Sequence, residues 1–223
     1  MIVRITSLLI ILNTFCISLN TQVLPQQDLN VESVSTEQNN SIKIGVGSPF
    51  KPIANAGFRR DFGGIIVSKI SYNRLFLKHF SVGPYFDYFS YDNTRSDSLR
   101  PSLKREIIKN DNYSMGLNLG YQKVVGKKSM INLISNFGYS WASFDRIDNI
   151  TLLEVAAYND KGANVGLEFH YHYFIEGMFS VGPFVGYQMT DVLYQPELLG
   201  FSPSSKGTNN QHLFWGFVMN FGF

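Results

Sequence analysis

Cysteine is almost absent from this 223-residue chain: Cys16 is the only one. It sits inside a short apolar run from Leu8 to Leu19, and Phe15 just before it is bulkier than lipoprotein processing accepts. Without that residue, disulfides and thiol catalysis are excluded. Charge is scarce too. Charged residues make up 16% of the chain, against about 25% in typical soluble domains. The formal charge of +2 lacks the strong basic excess of a nucleic-acid binder. No apolar run approaches the roughly 18 residues that a helical membrane span requires. Helical period is missing as well; residues 102–109 offer one or two turns at most.

The N-terminus has the pattern of an export signal, with Arg4 ahead of the apolar run and polar Asn20, Thr21 and Gln22 after it. Residues 1–21 are expected to be a cleaved signal peptide, and 22–40 a flexible lead-in rich in Gln, Asn and Ser. Losing Arg4 takes the charge from +2 to 2 − 1 = +1.

What the chain does hold is aromatic alternation. Aromatics reach 15%, with 19 Phe and 12 Tyr. Eight segments alternate with the period of a strand: 41–50, 64–74, 80–92, 112–125, 129–144, 162–174, 179–194 and 212–223. Tight connections near Leu75–His79, Gly126–Lys128 and Ile175–Met178 take turns with long ones at 51–63, 93–111, 145–161 and 195–211. Phe80-Ser-Val-Gly-Pro-Tyr and Phe179-Ser-Val-Gly-Pro-Phe repeat one motif after two of the tight turns. On the fourth segment Tyr113, Met115, Leu117, Leu119 and Tyr121 oppose Ser114, Gly116, Asn118, Gly120 and Gln122. The others follow suit: one face greasy, the other glycine, amide and charge.

A soluble eight-stranded barrel has the reverse arrangement, with an apolar interior. Lipid is the cover that fits, and backbone groups in hydrocarbon must all be paired, so the sheet has to close. The expected fold is all-β: an eight-stranded antiparallel up-and-down transmembrane β-barrel over residues 41–223. The strand count, the loop asymmetry and the ending Asn220-Phe-Gly-Phe223 resemble the small outer-membrane barrels of the OmpA and OmpX type, a porin-like family of Gram-negative cell envelopes. That resemblance implies a place in the bacterial outer membrane, with its lipid and lipopolysaccharide as surroundings. It also implies that the alternating terminal strand, ending on Phe221 and Phe223, is the signal read by the barrel-assembly machinery during insertion.

The candidate chemistry lies on the polar faces. Glu168, His170 and His172 project from one strand at alternate positions. His and carboxylate suit zinc or copper, yet same-face neighbours stand about 7 Å apart along a strand, too far to converge on one ion. The bland reading is an interior polar network of these three with Lys43, Lys69, Asp87 and Gln188, since buried charges must be paired. A serine such as Ser114 could be imagined beside His170 and Glu168 in a lipid-modifying enzyme, but no Gly-x-Ser-x-Gly elbow appears and lumen residues meet lipid poorly. In the 93–111 loop, Arg95, Arg100, Lys104 and Arg105 could touch lipopolysaccharide phosphates; a solvated loop is the alternative.

An eight-stranded barrel is just wide enough for side chains to fill it. Tyr85, Asp87, Glu168, His170 and Gln188 are therefore expected to occlude the lumen. The expected function is structural, adhesive or that of a complex subunit, with an extracellular or complex partner meeting the long loops. A narrow porin for ions or small solutes is the alternative. No enzyme activity, cofactor, metal or nucleic acid is expected.

Overall fold

The computed structural model describes residues 39–50, 63–76, 79–92, 106–148, 150–176, 178–200 and 208–223. The expected signal peptide, most of the lead-in, and the loop cations Arg95, Arg100, Lys104 and Arg105 lie outside them. Eight strands make up the described chain: β1 (Asn40–Pro49), β2 (Gly63–Phe76), β3 (Phe80–Asp92), β4 (Glu106–Val124), β5 (Ser129–Asp148), β6 (Glu154–Glu176), β7 (Phe179–Tyr194) and β8 (Thr208–Gly222). Each pairs antiparallel with the next, and β1 pairs with β8 to close the barrel. The seam runs from Ser41↔Gly222 to Pro49↔Phe214. Closure is what lets a sheet with a greasy exterior exist without an edge.

Side chains alternate in and out as the pleat demands. Outward stand Ile44, Ile70, Met115, Leu117, Leu119, Phe169, Val185, Phe217 and Met219, all exposed, Leu117 at 58% and Phe217 at 65%. Aromatic rings bound this belt. Tyr113 stacks on Trp141 at 5.7 Å near the long-loop end. Phe76, Phe80 and Tyr121 meet near the short-turn end, at 6.1 and 5.4 Å. Two such girdles mark the interfaces of a lipid-embedded barrel.

Four strands run further than the alternation predicts. Residues 106–111, expected in a loop with a helical turn across 102–109, belong to β4 and pair up to Glu106↔Asp148. β5 ends at Asp148, β6 begins at Glu154 and β8 begins at Thr208, against the expected 144, 162 and 212. The reason is that the pattern inverts above the upper girdle. Past Trp141, the inward Ala142 and Phe144 are apolar and fully buried, while Ser143 and Asp145 face out. On β6, inward Tyr158 packs against the core cluster while Asn159 and Lys161 face out. Outside lipid the wall obeys the rule of a soluble barrel. From Trp141 to Asp148 it rises ~23 Å along the strand at about 3.3 Å per residue.

The β5–β6 hairpin tip is a turn tied by Asp148. Its Oδ1 accepts from Ile150 N at 2.8 Å and Thr151 N at 3.0 Å, and its carbonyl accepts from Leu152 N at 2.8 Å. Leu152 sits at φ 56°, a left-handed conformation uncommon for a bulky residue. Ile150, Leu152 and Leu153 are 79%, 72% and 67% exposed.

Candidate functional site

The lumen holds the polar residues expected in its network, but in separate groups and not one network. Lys43, Asp87, Glu168, His170, His172 and Gln188 are all buried, and Lys69 nearly so. The first group is ionic. Lys69 Nζ lies 2.6 Å from Asp87 Oδ2 and 2.8 Å from Glu168 Oε1. Glu168 also accepts from Asn136 Nδ2 and lies 2.9 Å from His170 Nε2. One carboxylate thus carries a cation, an amide and an imidazole, which is what a buried charge needs. Lys43 Nζ lies 2.7 Å from the side-chain oxygen of Asn132, with that amide turned so its nitrogen faces the Tyr121 carbonyl.

Below this group, towards the short turns, His172 stands apart. Its Nδ1 is 3.5 Å from Ser180 Oγ, and its ring is 5.7 Å from that of His170. Above it runs a hydroxyl–amide chain. Tyr85 donates to Asn164 Oδ1 at 2.6 Å, Asn164 Nδ2 to Ser140 Oγ at 2.9 Å, and Ser140 meets Ser114 at 2.5 Å. Gln188 Nε2 joins this chain by donating to Ser114 Oγ at 2.8 Å. Ser114 is therefore engaged with Ser140 and Gln188, not with His170. The imagined serine–histidine–acid arrangement does not assemble, and among the described residues no group of His, Cys, Asp or Glu is placed to hold a metal ion.

The third group is one that sequence reasoning missed: an aromatic layer in the upper lumen. Phe89, Tyr91, Phe144 and Phe214 are fully buried there, with Leu199 from the short 3-10 turn Pro196–Leu199. Phe89 stacks on His212 at 4.8 Å, Tyr91 does so at 5.3 Å, and the Tyr91 hydroxyl lies 2.5 Å from His212 Nδ1. Phe144 stacks on Tyr158 at 4.7 Å. The Tyr158 hydroxyl ties the top of β7 inward, accepting from Gln195 N at 2.7 Å; burial pushes this phenol's pKa above its ordinary value, so it stays neutral. Arg146 Nη1 donates to the Leu199 carbonyl at 2.6 Å, fixing the 3-10 turn over the wall. Lys69 Nζ joins the ionic group to this layer by sitting 4.7 Å from the Phe214 ring centroid. The readable signal was the change of phase, from apolar at odd positions through Trp141 to apolar at even positions from Ala142.

Small residues make the room. A Cβ on Gly186 would overlap the Phe214 ring, and one on Gly216 would meet first the Val46 carbonyl across the seam and then the Phe184 ring at 2.8 Å. What remains open beside the ionic group is a cavity of about 20 Å³ lined by Lys43, Tyr85, Asp87, Asn118, Glu168 and His170 among others. That is room for about one water molecule.

No family description matches this sequence, and no curated protein does so either. Solved structures do share its architecture. Neisserial surface protein A aligns at a TM-score of 0.53 with 14% identity, over 83% of this chain and 97% of its own. A major outer membrane protein from Thermus thermophilus aligns at 0.49 with 11% identity, over 82% and 99%. The outer membrane protease OmpT from Escherichia coli aligns at 0.36 with 10% identity, over 89% and 99%. With its closed eight-strand ring and lipid-facing belt, this chain is a transmembrane β-barrel of the kind found in bacterial outer membranes.

Proposed function

We propose that this protein is a non-conducting outer-membrane barrel that acts through the surface it raises above the bilayer, as an adhesive or complex-forming element. The observation that carries this reading is the double seal of the lumen, an ionic group at mid-height and an aromatic layer above it. A filled lumen leaves the outside for function. There the wall stands ~23 Å along the strand beyond the upper girdle and ends in an apolar tip, Ile150, Leu152 and Leu153, that nothing among the described residues covers. Exposed apolar groups on a turn that holds Leu152 at positive φ suit a contact with a partner. The Glu168–His170 pair has a structural part in this reading, since both side chains are buried in the lumen.

The test is site-specific photo-crosslinking in intact cells. A crosslinker at Leu152 is expected to give discrete adducts, whereas one at Leu117, inside the belt, gives only lipid. Equal, featureless products at both positions would sink the surface role. The alternative, a narrow conduit for ions, has one observation in its favour. Asp87 Oδ1, Asn118 Oδ1 and His170 Nδ1 have no protein partner, and their residues line the small cavity, which suits water.

A further inference from the structure

The rim at the short-turn end is chemically lopsided. On the β2–β5 side it carries Arg74, Lys123, Lys127 and Lys128, while residues 72–76, 79–82 and 121–129 contain no Asp or Glu. Across the barrel, residues 39–42, 171–175, 178–182 and 219–223 contain no Lys or Arg. Arg74, Lys127 and Lys128 are exposed and Lys123 half-buried.

Placement says what such a patch meets. Arg74 lies between Tyr72 and Phe76 on the outward face of β2, and Lys123 lies two residues beyond outward Tyr121 on β4. Around them runs a row of rings: Phe76 to Phe80 at 6.1 Å, Phe80 to Tyr121 at 5.4 Å and His79 to Tyr121 at 6.0 Å. Such rings settle at headgroup level, and long cationic side chains beside them extend to the same plane. Lys127 and Lys128 occupy the turn just past Val124 and Val125, which are 48% and 46% exposed. The row of rings holds the patch in the plane of the membrane. A soluble acidic partner could reach Arg74 only by displacing lipid.

We propose that Arg74, Lys123, Lys127 and Lys128 form a basic patch that gathers anionic phospholipid headgroups, of the phosphatidylglycerol kind, in the leaflet at the short-turn end. Phosphates accept from the guanidinium and ammonium groups, and the acyl chains run on from the ring row along outward Leu119 and Leu117 of the belt. The patch fixes one side of the barrel towards anionic lipid and leaves the β6–β8 side indifferent.

Native mass spectrometry of the full chain, released from vesicles of mixed phosphatidylethanolamine and phosphatidylglycerol, reads this directly. Retained phosphatidylglycerol is expected to exceed its bulk share by about fivefold for each cation a headgroup engages, and to fall as salt rises. The variant R74Q/K123Q/K127Q/K128Q, shown to be folded by its gel shift on boiling, is expected to lose the enrichment. K109Q/K161Q, neutralised on the raised wall, keeps it. Should the quadruple variant fail to fold, K127Q/K128Q in the turn is expected to reduce the enrichment measurably. Retention at the bulk ratio in the unaltered protein, enrichment that survives neutralisation, or displacement of the lipid by an acidic glycan fragment would each overturn the proposal.

Discussion

Replacing Lys69 by Met keeps the volume and removes the charge from the middle of the barrel. Lys69 Nζ is 2.6 Å from one carboxylate and 2.8 Å from another, and its side chain is 11% exposed. Water therefore compensates little. Removing one partner of a buried ion pair costs about 3–5 kcal/mol, chiefly because the other charge is left alone. Here two carboxylates lose a cation, but one of them can take up a proton instead of remaining charged, which keeps the expected loss within that range. Lys43 cannot step in without leaving Asn132. The loss should be read by reversible urea unfolding in lipid vesicles, following Trp141 and Trp215, which both face outward. Lys69→Met combined with Asp87→Leu removes one charge of each sign and is expected to recover at least half of the loss. Lys161→Met, on the exposed outer wall, should move stability by no more than about 0.5 kcal/mol. A cost for Lys69→Met below about 1 kcal/mol would refute the reasoning, since it would mean that the ionic group is bathed in solvent.

Leu117→Arg places a cation in the lipid belt and is expected to cost about 2–4 kcal/mol, measured by the same unfolding assay; Leu152→Arg on the hairpin tip should cost almost nothing. Gly186→Val sets branched carbon where the Phe214 ring lies, and the expected result is a barrel that no longer resists detergent until boiled. Adding Phe214→Ala to that variant should restore the resistance in part, because the space the valine needs is then free.

Residues 112–124 show how much of the fold was legible. Their strict alternation of Tyr113, Met115, Leu117, Leu119 and Tyr121 with small and polar partners set both the strand and its facing, because lipid on one side and a narrow lumen on the other leave no choice of phase. Residues 106–111 of the same strand were read as loop. Above the girdle both reasons for the pattern change, so Ile108 turns inward while Asp111 faces out to accept from Tyr88 and Ser90 at 2.7 Å. Inward direction of Lys43, Lys69, Asp87 and Glu168 followed from alternation alone. Which of them touch did not, since partners such as Lys69 and Glu168 come from β2 and β6, and contacts across the lumen depend on the tilt and stagger of the closed ring. His212 was passed over because its strand was read for the outward face; its stacking between Phe89 and Tyr91 is a property of the assembled lumen.

The central claim is a membrane barrel with a sealed lumen, and single-channel recording in a planar bilayer tests it most directly. The purified protein, shown to shift on gels when boiled, is expected to remain silent over many insertions. Phe89→Ala with Phe214→Ala, which hollows the aromatic layer, should stay silent as long as Lys69, Asp87 and Glu168 hold the layer beneath. Discrete, steady openings from the unaltered protein would contradict the account and make the interior a conduit.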